Sequence, residues 1–125
     1  MPATDRLRSK PAFNGLRRPR SRGFAVTATS MLMPFAAVAK FPFGNVVATR
    51  LAAETLFAMD IANALLRHVK ADWGDACAED KASNDAALAN GGRLFSVYHD
   101  RNGVKFWIIT EADRSATTIL LPGDY

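Results

Sequence analysis

The chain is poor in the residues that build disulfide frameworks and metal centres. It has one cysteine, Cys77, and two histidines, His68 and His99. One cysteine excludes an internal disulfide and a cysteine-rich zinc cluster, and a metal site on two histidines would need carboxylate partners. No uncharged run reaches the roughly eighteen residues that a membrane-spanning helix needs. The closest is residues 23–39, so the sequence predicts no membrane span.

Sequence signatures of common cofactor and catalytic sites are also missing. The chain contains no GxxxxGK[ST] phosphate loop, no GxGxxG, no HExxH, no GxSxG and no CxxC. It has no dense carboxylate loop of the calcium-binding type either. We therefore expect no cofactor and no metal ion, and the sequence favours a non-enzyme over an enzyme.

Charge is divided unequally along the chain. Residues 1–40 carry a net charge of +7 and residues 41–125 carry −3, which together give the +4 of the whole chain. The second part lacks the clustered Lys and Arg that a broad phosphate-binding surface needs. At 125 residues the chain allows one domain. We place this domain at residues 41–125, after a basic segment at 1–40.

The basic segment is predicted to be disordered up to about Arg22. We favour the interpretation that translation begins at Met31 or Met33 rather than at Met1. Three alternatives remain: a secretory signal at residues 17–39 that would export the protein, a transit peptide, or a basic arm that binds nucleic acid or anionic lipid. The arm would be residues 6–22. Without export, the protein is expected to be cytoplasmic.

Helical patterns fill the first part of the domain, after a short extended segment at residues 41–47. Thr49 and Asp60 are predicted to cap the first two helices, because their side-chain oxygens can accept the free N–H groups of a first turn. In the third helix, three alanines are predicted to form a shallow buried face. These are Ala82, Ala86 and Ala89. The predicted helices lie at residues 50–59, 61–69 and 79–90.

Three strands are predicted to follow, at residues 93–99, 104–110 and 117–122. Asn102-Gly103 suits the hairpin turn between the first two, because such turns require positive φ angles. The predicted fold class is α+β, with two or three helices packed on a three-stranded antiparallel β-meander at the C-terminus. Both faces of the middle strand are apolar, so we expect both to be covered.

A first candidate site combines His68 with Asp72 and Asp75. A neighbouring carboxylate can orient an imidazole and raise its pKa, as in general-base sites. The interpretation we favour is simpler: His68 ends its helix, and the two acids lie on an exposed loop.

A second candidate is the turn TEADRSATT, which begins at Thr110. Its Arg114, with Glu111 and Asp113, could clamp a carboxylate or phosphate. We favour an ordinary turn, in which Asp113 and Ser115 bind backbone N–H groups and Arg114 pairs with Glu111.

Other candidates have similar alternatives. Asp80 and Asn84 share a helix face and could join a metal site, but a cap and an exposed amide explain them as well. Four aromatic side chains could stack on nucleic-acid bases, although core packing is favoured. These are Trp73, Tyr98, Phe106 and Trp107. Cys77 has no nearby Lys or Arg, so we expect a structural thiol.

The second half of the chain contains a series of short motifs: Arg67-His68, Asp72-Trp73-Gly74, Asp80, Asn84, Gly92-Arg93, Ser96, Tyr98, Trp107, Thr110–Ser115, Thr117-Thr118 and Tyr125. In these motifs the chain resembles a family of small bacterial proteins from plasmids and integrative elements. Members of this family are labelled "plasmid-related protein" or "type I restriction endonuclease subunit M". The chain departs from the family in having Ala71 where glycine is usual. It has neither the glycine-rich loop nor the Asn-Pro-Pro motif of a methyltransferase, so the resemblance implies a context rather than a reaction.

Together these observations favour a non-enzymatic protein-interaction module of a mobile element, linked to restriction or another host defence. One alternative is a small ligand-binding protein or enzyme, and another is a DNA-binding accessory protein that uses residues 6–22. The candidate ligand- or partner-binding residues are His68, Asp72, Trp73, Tyr98, Trp107, Glu111, Asp113 and Arg114. The identity of the protein partner and the oligomeric state do not follow from the sequence.

Overall fold

A mixed β-sheet organises the part of the chain that the computed structural model describes, Gly23–Ala25 and residues 39–125. Its strands are β1 (Gly23–Ala25), β2 (Asn45–Thr49), β3 (Leu94–His99), β4 (Lys105–Thr110) and β5 (Ala116–Leu120). They lie in the order β1-β2-β5-β4-β3. Four of the five strands belong to residues 39–125, and β1 lies in the basic segment that we separated from the domain.

The predicted α+β class is confirmed, but the predicted sheet was incomplete. β3, β4 and β5 form the expected antiparallel meander. β2 then adds to β5 in parallel, with Val46 opposite Thr117, so the sheet is mixed. A parallel neighbour requires a long crossover connection, and no local sequence pattern marks the partner. For that reason, residues 41–47 looked like an isolated extended segment.

Three helices cross over between β2 and β3: α1 (Arg50–Thr55), α2 (Ala58–Val69) and α3 (Ala78–Asn90). Thr49 caps α1 as predicted, since its Oγ1 accepts a hydrogen bond from the Ala52 amide at 3.2 Å. The helix predicted at 50–59 begins at Arg50 as expected but ends at Thr55, because the backbone becomes extended at Leu56. Asp60 is not a cap either: α2 begins after Phe57, and Asp60 lies in its first turn.

α3 presents to the core a different face from the one we predicted. Ala82, Ala86 and Ala89 are exposed, whereas Asp80 and Asn84 are 1% and 0% exposed. The Asn84 amide explains this orientation: it donates to the Phe95 carbonyl oxygen at 2.7 Å and accepts from the Phe95 N–H at 3.0 Å. The expectation of an exposed amide was therefore wrong, because a side chain that pairs with the edge of β3 must face the sheet.

The C-terminus of α2 ends in a Schellman motif. The Ala71 N–H donates to the His68 carbonyl at 3.0 Å, and the Asp72 N–H donates to the Arg67 carbonyl at 2.9 Å. Ala71 occupies the left-handed position of this motif, with φ 66°. Glycine adopts that conformation without the steric conflict of a Cβ atom. Ala71 thus lies at a position where the backbone favours glycine.

Candidate functional site

His68 lies in the core, where α2 packs on the sheet, and is 0% exposed. Its Nδ1 is 2.6 Å from Ser96 Oγ, and its Nε2 is 2.9 Å from Thr110 Oγ1. Both ring nitrogens are thus engaged by strand hydroxyls rather than by Asp72 or Asp75. The general-base interpretation does not describe this arrangement. His68 does lie in the last turn of α2, and the two loop acids are exposed, as the favoured interpretation predicted, but the ring binds strand hydroxyls rather than capping the helix.

A chain of hydroxyl groups determines the tautomer of His68. The Thr117 hydroxyl donates its proton to the Phe43 carbonyl oxygen at 2.8 Å. The hydroxyl of Thr110, 2.8 Å away, must then donate to Thr117 Oγ1, because Thr117 has no second proton to give. His68 Nε2 must in turn donate to Thr110, so one proton of the ring is on Nε2. In the neutral ring, Nδ1 then accepts from Ser96.

Burial favours the same neutral form. Removal from water lowers the pKa of His68 to about 3. Ser96 and His68 are at the separation of a nucleophile and its base, but both residues are 0% exposed, so no substrate atom can reach Ser96 Oγ. The network instead ties α2 to β3, β4 and β5.

Asp72 and Asp75 hold the loop after α2 in place. The Asp72 carboxylate accepts from Arg67 Nε at 2.8 Å and from the Gly74 N–H at 3.1 Å. The hydrogen bond from Arg67 holds the pKa of Asp72 below its usual value. Asp75 pairs with His99, with Oδ2 2.8 Å from Nδ1.

Trp73 and Tyr98 are core residues, as the packing interpretation predicted. They are 4% and 2% exposed. The Trp73 indole donates to Asp85 at 2.9 Å, and the Tyr98 hydroxyl donates to the Asp72 carbonyl oxygen at 2.6 Å. Burial raises the pKa of Tyr98 above its usual range. Trp107 lies on the opposite face of the sheet, where its ring meets Phe95.

For the turn between β4 and β5, the predicted role of Asp113 is confirmed and the predicted partner of Arg114 is wrong. Asp113 Oδ1 accepts from the Ser115 N–H at 2.9 Å, as expected. The predicted pair of Arg114 with the Glu111 carboxylate is wrong, since that carboxylate binds Arg93 at 3.2 Å. The side chain of Arg114 instead turns inward and donates to the backbone carbonyls of Ala87, Gly92, Glu111 and Ala112. Burial lowers the pKa of Arg114.

The eight predicted site residues therefore do not share one open pocket. His68 and Arg114 both contact the Phe41 ring, but one is sealed among hydroxyls and the other is bound to carbonyl oxygens. Asp72 is on an outer loop, and Trp107 is on the other sheet face. These residues stabilise the fold rather than form a common site.

An open groove lies between α2 and the β3–β4 hairpin, with a volume of about 210 Å³, and of the eight predicted residues Tyr98 lines it. Two of its charged side chains, Asp60 and Arg101, bind each other. Asp60 accepts from Arg101 Nε and Nη2, both at 3.0 Å, and from the Arg101 backbone N–H. The Arg67 guanidinium lies 4.9 Å from the centre of the Tyr98 ring. Asp60 and Arg101 are separated by 41 positions, which explains why no local pattern revealed their pairing.

Apolar side chains are exposed beside this groove. Phe57 and Met59 are 44% and 63% exposed, and the Arg101 guanidinium stacks 4.2 Å from the centre of the Phe57 ring. We call Phe57, Met59, Asp60 and Arg101, together with the adjoining groove, the Phe57 surface. Sequence analysis placed both residues within the predicted helix at 50–59 and assigned neither to a site. Phe57 instead follows the break at Leu56, and Met59 lies in the first turn of α2.

Comparisons with protein-family models, curated proteins and solved structures find no match. In the described residues, no group of three or more His, Cys, Asp or Glu side chains is placed to hold a metal ion. None of the described helices is long and apolar enough to cross a bilayer. The predicted nucleic-acid arm at 6–22, both alternative start methionines and most of the signal-like segment lie outside the described residues.

Proposed function

We propose that this protein is a non-enzymatic interaction module of a mobile element, and that it recognises a protein partner through the Phe57 surface. The observation that carries the proposal is the exposure of Phe57 and Met59 beside a charge pair already fixed in place. The resemblance to plasmid-borne proteins supports the mobile-element context and a link to restriction or other host defence.

The chemistry of the Phe57 surface resembles the centre of a protein interface. Aromatic residues, methionine and arginine are enriched there, and a few of them supply most of the binding free energy. Because Arg101 is held by Asp60 and by the Phe57 ring, it loses little side-chain freedom on binding. The net charge of −3 on residues 41–125 favours a basic partner, such as a nucleic-acid-binding protein.

The location of the nucleophile–base pair also supports an interaction role over catalysis. Ser96 and His68 are adjacent but fully buried. The possible bases of the open groove, Asp60, His99 and Asp100, each already bind a neighbouring group. No Ser, Thr, Cys or Lys is among the described residues that line the groove, so no nucleophile lies beside these bases.

Site-specific photo-crosslinking in the native bacterial host tests the proposal. A photoreactive phenylalanine analogue replaces Met59 in one variant and Ala82, exposed on α3, in the matched control. We expect a discrete covalent adduct from position 59 and none from position 82, because only the first lies on the proposed interface. The substitution Phe57→Ser should abolish the adduct. Equal adducts from both positions, or none from position 59, would contradict the proposal.

A further inference from the structure

The two edges of the sheet are protected in different ways. On the β3 edge, the backbone groups of Phe95 are bound by Asn84. Those of Val97 are bound by the loop after α2: its N–H donates to the Trp73 carbonyl at 3.2 Å, and its carbonyl accepts from the Asp75 N–H at 2.7 Å. Another strand cannot add at these positions, because their hydrogen-bonding groups are already used.

The β2 edge has a much smaller cover. Within the described residues, the strand that lies on it is β1, which is three residues long. β1 is antiparallel to β2 and pairs with Val47, Ala48 and Thr49. β2 itself, NVVAT, contains no charged residue and no proline. Proteins usually protect an edge strand with such residues, and an unprotected one is a template for another strand.

We propose that the outer edge of β2 is a strand-acceptor site, and that β2 of a second copy of this chain takes the place of β1 there when β1 is displaced. The pairing with β1 shows that this edge accepts an antiparallel strand. Two β2 strands placed antiparallel about Val47 would set Val46 opposite Ala48 and Asn45 opposite Thr49. All of these side chains are uncharged, so no repulsion opposes the pairing.

The symmetry of this arrangement favours a second copy over an unrelated strand. An antiparallel β2–β2 contact uses the same surface on both protomers, which gives a closed two-fold dimer. It joins the two sheets into one and leaves each β3 edge sealed, so growth stops at two copies. The β2 edge is independent of the Phe57 surface, and the dimer does not rest on the proposed function.

The first test opens the edge in the full-length chain. Phe24→Pro with Ala25→Pro removes two backbone N–H groups and prevents β1 from pairing. By sedimentation equilibrium at micromolar concentrations, we expect the natural chain to be a monomer and this variant to have twice its mass. Adding Val47→Lys, a partly exposed edge position, should restore the monomer. Val47→Lys alone serves as the control for folding.

Two results would overturn the inference. One is a folded F24P/A25P variant, judged by the near-ultraviolet circular dichroism of buried Trp73, that stays monomeric. The other is a dimer that survives Val47→Lys. If Phe57→Ser with Met59→Ser dissolves the dimer instead, the Phe57 surface forms the contact and the β2 edge does not.

A covalent readout covers the case in which the proline variant fails to fold. In a Cys77→Ser background, Val47→Cys places a thiol at the centre of the proposed pairing. Residues directly opposite in an antiparallel pair are close enough for a disulfide. Oxidation traps each displacement of β1 as a covalent product, so we expect mild oxidation at high protein concentration to give a disulfide dimer from position 47 and none from Ala82→Cys, an exposed position of α3. Equal crosslinking at the two positions, or none at position 47, would overturn the inference.

Discussion

The interior around His68 and the surface around Phe57 contain similar side chains in opposite surroundings. Each has a histidine: His68 is 0% exposed, whereas the side chain of His99, which lines the groove, is 41% exposed. The inner histidine binds hydroxyl groups that no solvent reaches, and the outer one binds the exposed carboxylate of Asp75. Histidine, a residue that often acts in catalysis, therefore has two separate roles in this protein.

The difference between the two regions separates residues that stabilise the fold from residues that a partner can reach. A polar group in the core must be fully hydrogen-bonded, and a complete network fixes the arrangement of the elements around it. A paired charge at the surface contributes little to stability and remains available to a partner. We therefore expect changes around His68 to alter folding, and changes around Phe57 to alter binding.

The largest expected effect is from His68→Ala. It leaves Ser96 and Thr110 without their ring partner and opens a cavity, so we expect a loss of about 3–5 kcal/mol in the free energy of unfolding. His99→Ala is the matched control and should cost less than about 1 kcal/mol, because its contact with Asp75 is exposed. Urea denaturation measures both. Similar losses for the two variants would contradict the contrast between interior and surface.

The second effect is a dependence of stability on pH. The folded pKa of His68, about 3, is below its ordinary value of 6.5, so in this interval the unfolded chain binds a proton that the folded chain does not. The contribution of neutral His68 to the free energy of unfolding is complete above pH 6.5 and is lost as the pH falls. We expect the free energy of unfolding to decrease by about 1.4 kcal/mol per pH unit from about pH 5.5 downward.

The measurement is best made between pH 6 and 4. Below this window, Asp72, whose pKa is held below the ordinary 3.8 mainly by Arg67, adds its own loss of stability. Denaturation in a His99→Gln background leaves His68 as the histidine that titrates. A free energy of unfolding that is level across the window would show that His68 accepts a proton in the folded state.

Much of the local structure could be predicted from the sequence, because local chemistry decides it. The cap at Thr49, the stop at Gly91 and the Asp113 turn each depend on contacts within a few residues. The long-range contacts could not be predicted. The parallel pairing of β2 with β5 and the bond between Asn84 and Phe95 join positions whose proximity only the complete fold creates. The same holds for the groove, where Asp60 meets Arg101.

A smaller effect is expected at Ala71. Its left-handed backbone conformation costs an alanine about 1–2 kcal/mol. Glycine avoids this cost, although a glycine loses more conformational entropy on folding than an alanine does. Ala71→Gly should therefore stabilise the protein by about 1 kcal/mol. Ala82→Gly, within exposed α3, is the control and should destabilise by about as much. Loss of stability from both substitutions would contradict the strain assigned to Ala71.

The smallest effect on stability is expected from Met59→Ser on the Phe57 surface. Met59 is 63% exposed, so the substitution removes little buried apolar area, and the free energy of unfolding should change by less than about 0.5 kcal/mol. Its effect on partner binding should be large, because exposed apolar side chains next to fixed charges provide the interface anchors. The photo-crosslink from a neighbouring surface position, Asn63, reports on binding, and urea denaturation reports on stability. A variant that keeps its stability and loses the adduct separates the two roles. A variant that keeps both would show that Met59 is not an anchor.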